Sequence, residues 1–143
     1  MTERFEVPSE AAMLELGATL AARLPDNARV LLEGELGMGK TTLARGVLRG
    51  LGFQGPVKSP TYTIVEPYEF SGKRVYHFDF YRIEDPQELE FIGLDELIEQ
   101  PGIKLMEWPQ RAGDRLPPAD FNVRISIVGD TRIVEFEDLR DRH

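Results

Sequence analysis

Gly34-Glu35-Leu36-Gly37-Met38-Gly39-Lys40-Thr41 follows the pattern of glycine, four residues, glycine, lysine and then serine or threonine. Its flanks supply the context that this pattern needs. Arg29-Val30-Leu31-Leu32 before it reads as a short buried strand. Thr42 to Arg49 after it reads as a helix, with Leu43, Val47 and Leu51 at helical spacing. Glycines let a backbone curl so that its N–H groups converge on a concave anion site. The positive end of the helix dipole adds to the attraction for phosphate. In such a loop Lys40 reaches the β- and γ-phosphates as a point charge, and the Thr41 hydroxyl ligates Mg²⁺. The plainer reading, a glycine-rich turn that contains a lysine, leaves the strand before and the helix after unexplained.

Working outward, Phe5-Glu6-Val7 reads as a short strand ended by Pro8. Ser9 suits the N-cap of a helix whose apolar stripe is Met13, Leu16, Leu20 and Leu24, stopped by Pro25-Asp26. The helix after the glycine loop closes at Gly50-Leu51-Gly52. Thr61-Tyr62-Thr63-Ile64-Val65 alternates and is rich in β-branched residues, which predicts a strand. Arg74 to Tyr81 predicts another, with Ser71-Gly72-Lys73 as the turn of an antiparallel pair. Pro86 to Phe91 opens a short helix with proline in its first turn. Asp95 is placed to cap a second helix through Leu97 and Ile98, which Pro101-Gly102 breaks. Ile103-Lys104-Leu105-Met106 is a further core strand, and Pro117-Pro118 marks a loop. Phe121 to Phe136 reads as a hairpin turning at Gly129-Asp130. The βα units at the front imply a parallel sheet with crossover helices, and the later pairs imply antiparallel additions. The expected fold class is α/β: one P-loop NTPase domain over residues 1–143, with a mixed, mostly parallel sheet, antiparallel additions and flanking helices.

The 143 residues are enough to bury a core. With no cysteine, a disulfide partner, a thiolate zinc site and a cysteine nucleophile are excluded. Two histidines, His77 and His143, argue against a histidine-rich metal site. No apolar run approaches the length of a membrane span. Met1 to Glu6 lacks the basic and then apolar regions of a signal peptide, so a cytoplasmic protein with no membrane association is expected. The net charge is −8, from 17 basic and 25 acidic residues. A protein that grips nucleic acid on its own shows a basic stripe. Here the charges are interspersed as on a solvated surface, so any service to RNA is expected to run through a partner.

Hydrolysis needs more than a phosphate cradle: an acid must fix Mg²⁺ and a group must orient the attacking water. Asp79 lies within His77-Phe78-Asp79-Phe80-Tyr81-Arg82, a mostly apolar run in which an isolated carboxylate is costly. Glu107 ends Ile103-Lys104-Leu105-Met106-Glu107, and an acid at the carboxyl end of a core strand resembles a Walker B element. Each alone reads equally well as a surface carboxylate. Beside the glycine loop the two point to function, and spacing does not divide the metal and water roles between them. Lys58-Ser59-Pro60-Thr61 follows the loop's helix, where many P-loop NTPases carry a segment that senses the γ-phosphate, with Ser59 or Thr61 as sensor. A Ser-Pro turn is the plainer reading. Trp108, the only tryptophan, stacks on a base, a partner or a moving loop, or else packs in the core. Arg82 reads first as a surface ion-pair residue, and His77 as a hydrogen-bonded, semi-buried histidine.

In order and separation, Gly34 to Leu43, Val57-Lys58-Ser59-Pro60-Thr61-Tyr62-Thr63, His77 to Arg82 and Glu107-Trp108-Pro109 resemble the bacterial TsaE (YjeE) ATPases. Those are the P-loop subunits of the machinery that makes threonylcarbamoyladenosine in tRNA. The resemblance runs from about Pro8 to Pro117. The Ser-Pro-Thr-Tyr and His-Phe-Asp-Phe-Tyr-Arg runs make it specific. It implies a Mg-dependent ATPase, weak alone, that binds ATP and does not itself modify tRNA. Such a protein docks on the TsaD–TsaB transferase complex, resets it between rounds and meets tRNA only indirectly. It implies Lys40 on the phosphates, with Glu35, Leu36, Gly37, Met38, Gly39, Thr41 and Thr42 completing the nucleotide-binding loop. It implies Thr41 and Glu107 on Mg²⁺, Asp79 at the metal or its water, and Lys40, Asp79 and Glu107 as the catalytic set. Ser59 and Thr61 would belong to the switch segment, Trp108 would lie beside the nucleotide, and the segment of Ser9 and Glu10 would lie near the base. Met38 stands where the family has a small residue, and Met106 where it has a branched one. The tail after Pro118 matches only in general pattern and carries no assigned function.

Three other readings compete. A P-loop small-molecule or nucleotide kinase needs an acceptor pocket and an arginine-rich lid, and no compact cluster of arginines occurs. A guanine-nucleotide switch needs an Asn-Lys-x-Asp run, which is absent from the sequence. A non-catalytic module with a vestigial loop is at odds with an intact Lys40, an intact Thr41 and two available acids.

Overall fold

The computed structural model describes residues 2–35 and 37–140. Leu36 and His143 therefore lie outside the described residues. Strand β1 (Thr2–Val7) leads through Pro8 into helix α1 (Glu10–Ala21), and β2 (Arg29–Glu33) leads through the glycine loop into α2 (Lys40–Leu51). Then follow β3 (Val65–Phe70), β4 (Lys73–Asp79), the short helices α3 (Glu88–Phe91) and α4 (Leu94–Glu99), β5 (Ile103–Glu107), a 3₁₀ segment at Pro109–Arg115, β6 (Phe121–Val128) and β7 (Thr131–Asp138).

All seven strands form one sheet in the order β1-β7-β6-β2-β5-β4-β3. The centre, β6-β2-β5-β4, is parallel, while β7, β1 and β3 add antiparallel at the two sides. The α/β expectation is borne out, with as many antiparallel pairings as parallel ones. Every residue of β5 is buried, as befits a central parallel strand covered on both faces. Successive residues feed opposite layers. Leu105 joins the cluster with Leu16, Leu43 and Val47 of α1 and α2, whereas Met106 joins Phe78, Phe80, Leu89 and Ile98 on the side of α3 and α4.

Ser9 caps α1 with extended backbone, its side chain accepting the Ala12 N–H at 3.1 Å. Helices α1 and α2 touch through glycines. A Cβ at Gly17 would stand 2.4 Å from the Leu43 carbonyl oxygen, and one at Gly46 would stand 2.4 Å from that of Leu14. Among the described residues, no helix is long and apolar enough to cross a membrane.

Three local expectations are corrected. Thr61 to Ile64 is a turn, not a strand: the Ile64 N–H donates to the Pro60 carbonyl at 2.7 Å, and Ile64 has a φ of 71°. The strand begins at Val65 and accepts Pro67, because β3 is an edge strand whose outer N–H groups need no partner. β4 ends at Asp79 rather than Tyr81, since the Phe80 N–H turns to the Glu107 carbonyl at 3.1 Å. Gly93, with a φ of 69°, occupies the N-cap position of α4, and Asp95 sits inside its first turn, where it favours the helix dipole.

Candidate functional site

The carboxyl ends of β2, β4 and β5 meet at one edge of the sheet, and register decides what is brought there. Leu32 and Asp79 both lie opposite Glu107, so the two candidate acids are neighbours on adjacent parallel strands beside the glycine loop. In that loop Gly39 adopts a φ of 108° and is the N-cap of α2, with no side-chain cap on the helix N–H groups. A Cβ there would be strained and would stand 3.1 Å from the Met13 Cε.

Lys40 opens α2 and is 4 % exposed. Its Nζ donates to the Gly34 carbonyl at 2.5 Å and lies 4.0 Å above the Trp108 ring. Burial lowers its pKa from the ordinary 10.5, against the opposing pull of Glu107, Asp79 and Glu35. Glu107 directs one oxygen, Oε2, at both His77 Nε2 (2.5 Å) and the Thr41 hydroxyl (3.4 Å). Asp79 accepts the Tyr81 N–H at 2.9 Å on Oδ1, and its Oδ2 lies 3.4 Å from the Thr61 hydroxyl. Ser59 Oγ reaches that same hydroxyl at 2.8 Å. Burial raises the Asp79 pKa and Glu107 adds to the rise, while the Tyr81 N–H, His77 and Lys40 oppose it.

Gly37, Gly39, Lys40, Thr41, Thr42, Thr61, Asp79, Glu107 and Trp108 line one cleft of about 270 Å³. A second cleft of about 240 Å³ shares Gly37, Gly39 and Thr42 and is closed by Pro8, Ser9, Glu10, Met13, Met38 and Arg132.

With that geometry, the sequence model described as threonylcarbamoyl adenosine biosynthesis protein TsaE matches residues 7–134. The chain belongs to the TsaE family. The tRNA threonylcarbamoyladenosine biosynthesis protein TsaE of Haemophilus influenzae is 46% identical over 134 residues, covering 90% of this chain and 85% of that protein. The TsaE of Borreliella burgdorferi is 36% identical over 133 residues, covering 92% and 96%. The crystal structure of Bacillus subtilis YdiB superposes with a TM-score of 0.84 at 28% identity, covering 99% of this chain and 88% of that one.

In this TsaE-family chain the sequence-predicted residues fall into three groups. Lys40, Thr41, Thr42, Gly37, Gly39, Thr61, Asp79, Glu107 and Trp108 come together, and Ser59 stands one hydroxyl behind. Glu10 and Met38 line the adjoining cleft, with Glu10 also 3.9 Å from Arg45. Glu35 is exposed and lines neither cleft, and Leu36 lies outside the described residues. The donors at Thr41, Asp79 and Glu107 are one hydroxyl and two carboxylates, all hard oxygens. Among the described residues no three His, Asp or Glu side chains gather to cage an ion unaided. That set fits Mg²⁺, which takes one or two carboxylates, keeps several waters and shares substrate phosphates.

Sequence reasoning left several features of the site unread. His77 is fully buried rather than semi-buried, and its Nε2 is spent on Glu107. Trp108 holds a left-handed backbone (φ 54°, ψ 51°), a strained state for a bulky residue, and its ring lies 4.9 Å from that of Tyr81. Arg82 stacks 4.7 Å over the Tyr62 ring and forms no ion pair among the described residues. Arg132, in the tail, reaches the glycine loop. The alternation of His77 with Asp79 was the available signal for the first, and local pattern offered none for Arg132.

Proposed function

We propose that this TsaE-family chain is an accessory ATPase of tRNA threonylcarbamoyladenosine biosynthesis. It binds Mg-ATP at the glycine loop, hydrolyses it, and resets a TsaD–TsaB-type transferase complex while meeting tRNA only indirectly. The observation that carries this reading is the single cleft in which a buried Lys40 ammonium, a helix N-terminus, the Thr41 hydroxyl and two buried carboxylates face one another. An ammonium this buried, donating to the Gly34 carbonyl and lying over the Trp108 ring at the mouth of a cleft, is suited to a polyanion. The names carried by the relatives support the pathway, and the net charge of −8 supports contact with tRNA through partners.

In this reading Lys40 binds the terminal phosphates. Thr41 and Glu107 hold Mg²⁺, which supplies charge neutralisation for phosphoryl transfer. Asp79, on the strand beside Glu107, orients the attacking water or a water of the metal shell. Thr61, on the Asp79 carboxylate and tied to Ser59, is the group that senses whether the γ-phosphate is present. The test is phosphate release measured for the chain alone, with small-molecule acceptors, and with the transferase pair. Slow turnover alone that rises with the protein partners is expected. Turnover that responds only to a small acceptor would instead establish the kinase alternative.

A further inference from the structure

The last strand carries a residue that holds the glycine loop. Arg132 lies on β7, opposite Val7 on one side and Ile127 on the other. Its Nε donates to the Met38 carbonyl at 3.0 Å and its Nη2 to the Gly37 carbonyl at 3.1 Å. Two consecutive loop carbonyls are thus held by one planar guanidinium, a task that matches its rigid fork and not the single point of a lysine. Six other arginines of this acidic chain, at positions 23, 45, 74, 115, 124 and 140, stand against carboxylates. Among the described residues Arg132 has no carboxylate within ion-pair distance. Its charge faces the cleft that also contains Ser9 and Glu10.

The peptide group is planar and trans, so its C=O and N–H point in opposite directions. Fixing the Met38 carbonyl on Arg132 turns the Gly39 N–H away from the guanidinium. Fixing the Gly37 carbonyl does the same for the Met38 N–H, which closes back on the Glu35 carbonyl at 3.3 Å. The loop is therefore braced from outside: the Met38 N–H is satisfied within the loop, the Gly39 N–H is turned away from Arg132, the sense in which a loop amide can serve an anion, and a cation is added to the rim.

We propose that Arg132 is a positioning residue of the nucleotide site: it presets the peptide orientation of Gly37 to Gly39 and raises affinity for a nucleoside triphosphate without entering the chemical step. This rests on the nucleotide-site reading given above. The experiment is calorimetric titration of the full chain with Mg-ATP, with steady-state kinetics, for Arg132→Gln, Arg132→Lys and Lys40→Ala. Losing a charged donor to two carbonyls is expected to weaken binding about tenfold or more in Arg132→Gln. KM should rise by a similar factor with kcat little changed, and Arg132→Lys, which can serve one carbonyl, should fall between. Thermal unfolding without nucleotide separates this from a folding defect; should Arg132→Gln fail to fold, the Lys variant decides. Parent-like affinity in both Arg132 variants, while Lys40→Ala is weakened, overturns the proposal. So does a fall in kcat at unchanged KM. Parent-like affinity in Lys40→Ala overturns the nucleotide-site reading itself.

Discussion

His77 Nε2 stands 2.5 Å from Glu107 Oε2, with both side chains buried. A carboxylate facing Nε2 assigns the ring proton to that nitrogen, and His77 Nδ1 has no partner among the described residues. The imidazole thus fixes the acid whose other neighbour is the Thr41 hydroxyl. Neighbours that orient a metal ligand are worth roughly 10–100-fold in metal affinity or activity. His77→Leu is therefore expected to raise the Mg²⁺ concentration needed for tight ATP binding by about that factor. His77→Gln, which can present an amide N–H, should recover much of the loss. Magnesium titration of nucleotide binding reads this directly, and an unchanged Mg²⁺ requirement in the Leu variant would disprove it.

Lys40 makes the clearest separation between a nucleotide site and an ornamental loop. Its ammonium is held by the Gly34 carbonyl and the Trp108 face, so Lys40→Ala removes the cation while leaving the backbone cradle in place. The parent should gain about 2.7 kcal/mol of stability at Mg-ATP near a hundred times its dissociation constant. Lys40→Ala should show almost none of that gain in a thermal-shift series. Equal shifts in the two proteins would refute the assignment.

The two acids should behave differently from the lysine. Asp79 and Glu107 face the cleft from adjacent strands, and the proposed function assigns them to metal and water rather than to the phosphate tail. At saturating Mg²⁺, Asp79→Ala and Glu107→Ala are expected to keep much of the ATP affinity and to lose turnover by about a hundredfold or more. Single-turnover phosphate release beside equilibrium binding measures both quantities. Undiminished hydrolysis in both variants contradicts the reading.

What was legible in the sequence was what short-range pattern encodes. Ser9 as a cap, the glycine loop between β2 and α2, the hairpin turning at Gly129, and the burial of β5 all follow from local spacing. The run from Thr61 to Ile64 misled because alternating β-branched residues suit a strand and a turn alike. There the Pro60 carbonyl accepts the Ile64 N–H and the Ile64 carbonyl accepts the Asp79 N–H, backbone hydrogen bonds that a strand would otherwise seek in a ladder. Arg132 was illegible for a different reason. Its contact with Met38 joins residues 94 apart, and it exists only because β7 is sandwiched between β1 and β6.

Lys104 gives a pH signature that involves no ligand. It lies on β5 at 2 % exposure, with Nζ donating to the Gln100 carbonyl. Burial lowers its pKa from the ordinary 10.5, Arg29 reinforces this and Glu99 opposes it. An unfolded chain titrates this amine at the ordinary value, so between the lowered value and 10.5 the unfolded state binds more protons. This group's contribution to stability therefore rises with pH across that window. Urea midpoints followed from neutral pH to about pH 10 should climb less in Lys104→Met than in the parent. Identical slopes would show that the amine is not desolvated.

Gly46 links the packing of the helices to the site. A Cβ there would stand 2.4 Å from the Leu14 carbonyl oxygen and 3.0 Å from the Gly17 Cα, both rigid backbone atoms. Overpacking of this kind costs about 1–3 kcal/mol, while alanine returns up to about 1 kcal/mol of helix propensity. Gly46→Ala should therefore lose roughly 1–2 kcal/mol in urea unfolding. Because α2 starts at Lys40, parting α1 from α2 also displaces the loop that precedes it, so ATP affinity should fall along with stability. A midpoint lowered at unchanged affinity would mean that the loop is anchored elsewhere, from the Arg132 side; no change in either would mean that the two helices can separate without cost.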